Sequence, residues 1–120
     1  MKITGAFLAE AAATADNKLN VQGGVLSKFT VGPDRLARFV LVVLTQAETD
    51  SPVRRVEVEI MPPTDDESLV VGYELPDAAV SGEIGFAFFD VEVLLPVNSR
   101  WVFLVTGGAG TFSLPLMVSG

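Results

Sequence analysis

The chain has 120 residues, 49% apolar and 19% charged, with 15 acidic against 8 basic side chains and a formal charge of −7. That length and apolar content suit a single domain spanning 1–120, able to bury about two thirds of its unfolded surface without disulfides or metals, while the negative charge disfavours a nucleic acid or an anionic membrane surface as partner. Histidine and cysteine are both absent, which removes the usual general bases, thiolate nucleophiles and soft metal ligands and accords with a cytoplasmic location.

The start, Met1-Lys2-Ile3 followed by an Ala-rich stretch, imitates a signal peptide, but Glu10 interrupts an apolar run already too short for one. Ile3 to Ala13 is therefore expected to be the first strand. Asp16-Asn17-Lys18 is turn chemistry, and Leu19-Asn20-Val21-Gln22 resumes apolar/polar alternation, so the two segments predict a hairpin with a polar tip. Gly23-Gly24 sits inside the apparent second strand, where paired glycines mark a bulge or a close backbone approach. Val25 to Val31 carries that strand on to a turn at Gly32-Pro33-Asp34.

Arg38 to Thr45 is a Val-rich run apolar on both faces, which places it at the centre of a sheet. After Asp50-Ser51-Pro52, Val53 to Met61 alternates, with Val56, Val58 and Ile60 inward and Arg55, Glu57 and Glu59 outward. Pro62 to Glu67 is a polar loop, Ser68 to Leu75 a strand, and Pro76-Asp77-Ala78-Ala79 a break. Gly82 to Leu95 is a long strand with a bulge expected near Phe88-Phe89. Trp101 to Thr106 and Thr111 to Val118 form a terminal hairpin around Gly107-Gly108-Ala109-Gly110. About eight strands at this spacing, with no required helix, predict an all-β antiparallel sandwich of immunoglobulin-like or C2-like type.

Few motifs carry chemistry. A serine nucleophile would depend on Lys2, Lys18 or Lys28, none of which lies in a Ser-x-x-Lys pattern. The glycines at 107–110 lack the following Lys-Ser/Thr and helix of a phosphate-binding loop, so they belong to a hairpin turn. Asp65-Asp66-Glu67, with Asp50 from another loop, is the one sequence-local carboxylate cluster suited to a hard cation such as calcium; the competing expectation is a solvated acidic loop. Glu57, Glu59, Asp90 and Glu92 would form a second acidic patch if their strands were neighbours. Arg35, Arg38, Arg54 and Arg55 are expected to neutralise nearby acids. No cofactor is implied.

A sharper signal is the absence of a polar face in Phe39 to Leu44 and in Trp101 to Val105. If one alternating set fills the core, Val40, Val42, Leu44, Val102 and Leu104 are left outside, a stripe a plain monomer does not expose. Burying five such side chains is worth about 7–15 kcal/mol, comparable with the cost of association. The stripe is thus either an interface or is covered by a loop or the Ala-rich first strand of the same chain.

Phe7-Leu8-Ala9-Glu10-Ala11-Ala12 followed by Lys18-Leu19-Asn20-Val21-Gln22-Gly23-Gly24 resembles the opening of a family of small uncharacterised bacterial proteins, largely actinobacterial. The Trp101–Val118 hairpin is similar to the last two strands of immunoglobulin-like domains. The resemblance implies a β-sandwich and no activity. The expected function is that of a non-catalytic binding or assembly module, self-associating or binding another protein through an apolar sheet face, with a loop-based small-ligand or calcium-binding domain as the alternative.

Overall fold

A computed structural model describes residues 2–47, 54–108 and 110–120; the expected Asp50-Ser51-Pro52 turn, Val53 and Ala109 lie outside them. Among the described residues there are ten strands and one helical turn: β1 Lys2–Ala9, β2 Ala11–Ala15, β3 Lys18–Gln22, β4 Lys28–Thr30, β5 Leu36–Gln46, β6 Arg55–Met61, β7 Leu69–Glu74, α1 Asp77–Val80, β8 Ile84–Leu94, β9 Ser99–Gly107 and β10 Gly110–Ser119. They assemble into a three-stranded sheet β1-β5-β8, a five-stranded sheet β4-β10-β9-β6-β7 and a two-stranded sheet β2-β3. Every pairing is antiparallel except β4 with β10, which run parallel. None of the described helices is long and apolar enough to cross a membrane.

The two larger sheets share one core. Phe39, Leu41 and Val43 of β5 and Val91 and Val93 of β8 meet Val56, Val58 and Ile60 of β6, Phe103 and Val105 of β9, and Leu116 and Val118 of β10. These are the alternate positions of each strand, as the two-residue period of a strand with one buried face requires. Phe39 lies at the centre, 5.5 Å between ring centroids from both Phe29 and Phe103. The β5–β8 ladder runs from Leu36 opposite Leu94 to Gln46 opposite Ile84 without a shift in register, so the bulge expected near Phe88-Phe89 does not occur. A register shift lies instead in β1, between Ile3 and Gly5.

Two further departures have local causes. The expected first strand divides at Glu10, whose backbone N–H leaves β1 to donate to the Gln22 carbonyl oxygen at 3.1 Å; β2 and β3 then form a separate hairpin. Its tip, Asp16 and Asn17, has positive φ at both residues, the conformation of a two-residue type I′ turn, which Asn and Asp tolerate best after glycine. Asp77-Ala78-Ala79 of the expected break, with Val80, form one helical turn, α1, entered from extended Pro76, and buried Ala79 docks into the core. Pro76 is the N-cap, its carbonyl oxygen accepting from the Ala79 N–H at 3.0 Å.

Candidate functional site

Of the five side chains expected on an open apolar stripe, Val40 and Val42 are not on the surface. They point away from the main core, but with Ala9 they form a second small core closed by Phe7, Phe88 and the hairpin residues Ala12 and Leu19. Val42 is 0% exposed and Val40 7%. The cover is thus the Ala-rich segment of the chain itself. Its small side chains let a second layer lie close to β5, and Gly24 assists: a Cβ there would stand 2.8 Å from the Val21 side chain and 3.3 Å from Phe7. Leu44 is half-buried on the same outer face, opposite Gly5 and Phe86 in the register.

Val102 and Leu104 lie elsewhere, on the outer face of the five-stranded sheet, and the register decides their neighbours. Val102 is opposite Pro115 on one side and Met61 on the other; Leu104 is opposite Ser113 and Glu59, and Glu59 is opposite Val70. Met117, opposite Arg100, extends the row. Met61, Val70, Val102, Leu104, Pro115 and Met117 therefore form one apolar patch on one face, with Val70 60% exposed and Met117 47%. Lys28, opposite Met117, and Arg100 lie at one end of this face; Glu59 stands within the patch, between Leu104 and Val70, and Glu57, paired with Arg55, lies toward the other end. No described segment covers it.

The acidic loop is solvated. Asp65, Asp66 and Glu67 are all exposed, and the Thr64 hydroxyl donates to the Asp66 carboxylate at 2.7 Å. Among the described residues no three acidic side chains converge as a metal-holding group. Behind the loop is a half-open groove of about 240 Å³, lined by Leu69, Leu94, Val97 and Trp101 and rimmed by Asp66 and Glu67. The Trp101 indole N–H donates to the Val97 carbonyl oxygen at 2.9 Å, which anchors the β8–β9 connection over the groove.

The remaining charges are dispersed. Glu57 and Glu59 are on β6 and Asp90 and Glu92 on β8, in different sheets, so the second acidic patch does not form. Three of the four arginines pair with acids, as expected. Arg38 pairs with Glu92, Arg54 with Asp77, and Arg55 with Glu57 and Glu74. Arg35, held at positive φ in the turn before β5, donates to the Leu95 carbonyl oxygen at 3.0 Å and to Asn98 at 2.8 Å. Gly107 is opposite Gly110 across the β9–β10 hairpin, with Gly108 at positive φ, the backbone role expected of that loop.

Sequence reasoning missed Met61, Val70, Pro115 and Met117. The signal was weak but present in β6, where the outward series Arg55, Glu57, Glu59 ends on a methionine. Nothing local could have joined it to Val102 or Pro115, since that contact depends on strand order. No protein-family model, curated protein or solved structure matches the chain.

Proposed function

We propose that the protein is a non-catalytic assembly module whose two larger sheets form an immunoglobulin-like sandwich, and that it pairs with a second copy through the outer face of the five-stranded sheet. The observation that carries the proposal is the patch Met61, Val70, Val102, Leu104, Pro115 and Met117, spread over four strands around Glu59 and left uncovered by any described segment. The charge pattern supports a second copy as occupant. A two-fold axis in the plane between two such faces can bring Lys28 and Arg100 of one copy over Glu57 and Glu59 of the other, an isologous and self-complementary contact.

From strand spacing and rise, the patch measures roughly 20 Å by 20 Å, about 400 Å² in projection, and more with side-chain relief. Two such faces bury about 800 Å² together, below the range of stable specific interfaces, so the proposed dimer is weak and concentration-dependent. The absence of histidine and cysteine from the sequence supports the non-catalytic part of the proposal. Strand order favours an immunoglobulin-like over a C2-like arrangement. With β1, β5 and β8 as A, B and E, and β6, β7, β9 and β10 as C, C′, F and G, the two sheets read A-B-E and G-F-C-C′. The chain departs from that pattern in lacking the cysteine pair, in having its tryptophan on β9, and in inserting the β2–β3 hairpin.

Light scattering coupled to size exclusion over a concentration series tests the proposal. The mass rises from monomer toward dimer with concentration, and Leu104→Asp holds it at monomer while leaving the strand signal of circular dichroism intact. A wild-type mass that stays monomeric at millimolar concentration would overturn it.

A further inference from the structure

The groove beside β7 differs from the assembly face in both position and chemistry. It opens between the two sheets at the end where the β6–β7 and β8–β9 connections meet, with the core residues Ile60, Val93 and Trp101 as its floor. Leu69 and Leu94 wall it and are unusually open for leucines, 53% and 60% exposed. Pro62 and Pro96 fix φ at one position in each of the two connections. Its rim carries Asp66 and Glu67 and no basic side chain, and none of the ion pairs among the described residues involves 65–67.

Leu69 also begins an edge strand. β7 pairs with β6 alone, and Leu69–Glu74 carries neither the proline nor the lysine with which exposed edges are commonly blocked. A segment added along this edge would place alternate side chains on the inner side of the sheet, next to the groove.

We infer that this groove takes an extended peptide segment of a partner protein in which an apolar side chain is flanked, two residues away on either side and so on the same face of the strand, by lysine or arginine. The apolar side chain fills the space against Leu69, Leu94 and Trp101, and the flanking cations lie at the acidic rim. A half-open groove of about 240 Å³ is smaller than the pockets that enclose drug-sized ligands and suits one anchoring side chain. The net charge of −7 steers a cationic segment toward the protein.

Trp101 is the sole tryptophan, which makes the test direct. A blocked hexapeptide, acetyl-Lys-Gly-Leu-Gly-Lys-Gly-amide, is titrated into the full chain with tryptophan emission and backbone amide shifts as readouts, alongside an analogue with both lysines replaced by glutamine. The lysine peptide gives a saturable change in emission and shifts amides of Leu69 to Tyr73; its affinity falls with added salt, and the glutamine analogue binds at least fivefold more weakly. Leu69→Lys weakens binding at least tenfold, and the double variant Asp66→Asn with Glu67→Gln, on a solvated loop where folding is not at risk, weakens it severalfold.

Equal affinity for the two peptides, no saturable change, or indifference to both variants would overturn the inference. So would amide shifts confined to Val102 and Leu104, which would assign the peptide to the assembly face, or a dimer that Leu69→Lys dissociates, which would make the occupant a second copy. Repeating the titration on Leu104→Asp separates this inference from the assembly proposal, since the groove binds whether or not the chain dimerises.

Discussion

The Thr45 hydroxyl donates to the Ala79 carbonyl oxygen across 2.7 Å, joining the end of β5 to α1. Thr45 is 1% exposed and is the buried polar residue among the described ones, so this bond fixes the helical turn as a plug at one end of the core. Gly85 completes the fit, because a Cβ there would collide with the same carbonyl oxygen and crowd the Thr45 hydroxyl. Thr45→Val leaves the carbonyl unsatisfied and costs about 1–3 kcal/mol, and Gly85→Ala is destabilising through overpacking by about the same amount. Urea unfolding of both variants measures it; an unchanged midpoint for Thr45→Val would mean that α1 is not anchored there.

Val42 and Leu104 appear alike in sequence and should behave oppositely when mutated. Val42→Asp puts an unpaired charge under the hairpin, where neither water nor a cation reaches it, and the chain loses its cooperative transition. Leu104→Asp stays folded and changes only association. Thermal melts and light scattering on the pair distinguish them; a folded Val42→Asp protein would show that the hairpin does not cover β5.

The hairpin is held to β5 mainly by Ala12 and Leu19. Leu19→Asp undocks it while leaving the main core intact. Amide exchange then accelerates in 11–22, and binding of a hydrophobic dye rises as Val40, Val42 and Phe88 open to solvent. Unaltered exchange in that segment would show that its docking does not depend on Leu19.

Tyr73, the sole tyrosine, stacks on Phe89 at 4.8 Å between centroids. Burial, with the Asp90 charge adding to it, raises its pKa above the ordinary 10.0. The folded state therefore holds the phenolic proton more tightly than the unfolded chain, so this contribution to stability is intact below pH 10 and is lost as pH rises through the raised pKa. A phenolate absorbance titration of the folded protein has its midpoint above that of the urea-unfolded chain, and Tyr73→Phe flattens the alkaline decline in stability. Coincident midpoints would contradict the proposed burial effect.

The strands themselves were legible in the sequence wherever one face is polar. The inward set Val56, Val58, Ile60 and the outward set Arg55, Glu57, Glu59 follow directly from a period of two. The hairpin tip at Asp16-Asn17 and the β9–β10 turn follow from residues that tolerate positive φ. Composition removed imidazole and thiolate chemistry outright. Beyond that the local pattern ran out, because a strand apolar on both faces records that something covers the second face without recording what. Tertiary structure supplied the cover for Val40 and Val42 from the chain's own β2–β3 hairpin and left Val102 and Leu104 among Met61, Pro115 and Met117 from distant segments. Side-chain direction is fixed locally by the pleat, whereas neighbourhood across a sheet is fixed by strand order and register, which link positions far apart in the chain. The groove at Leu69 and Trp101 has the same origin, since it exists only where two sheets and two connections meet.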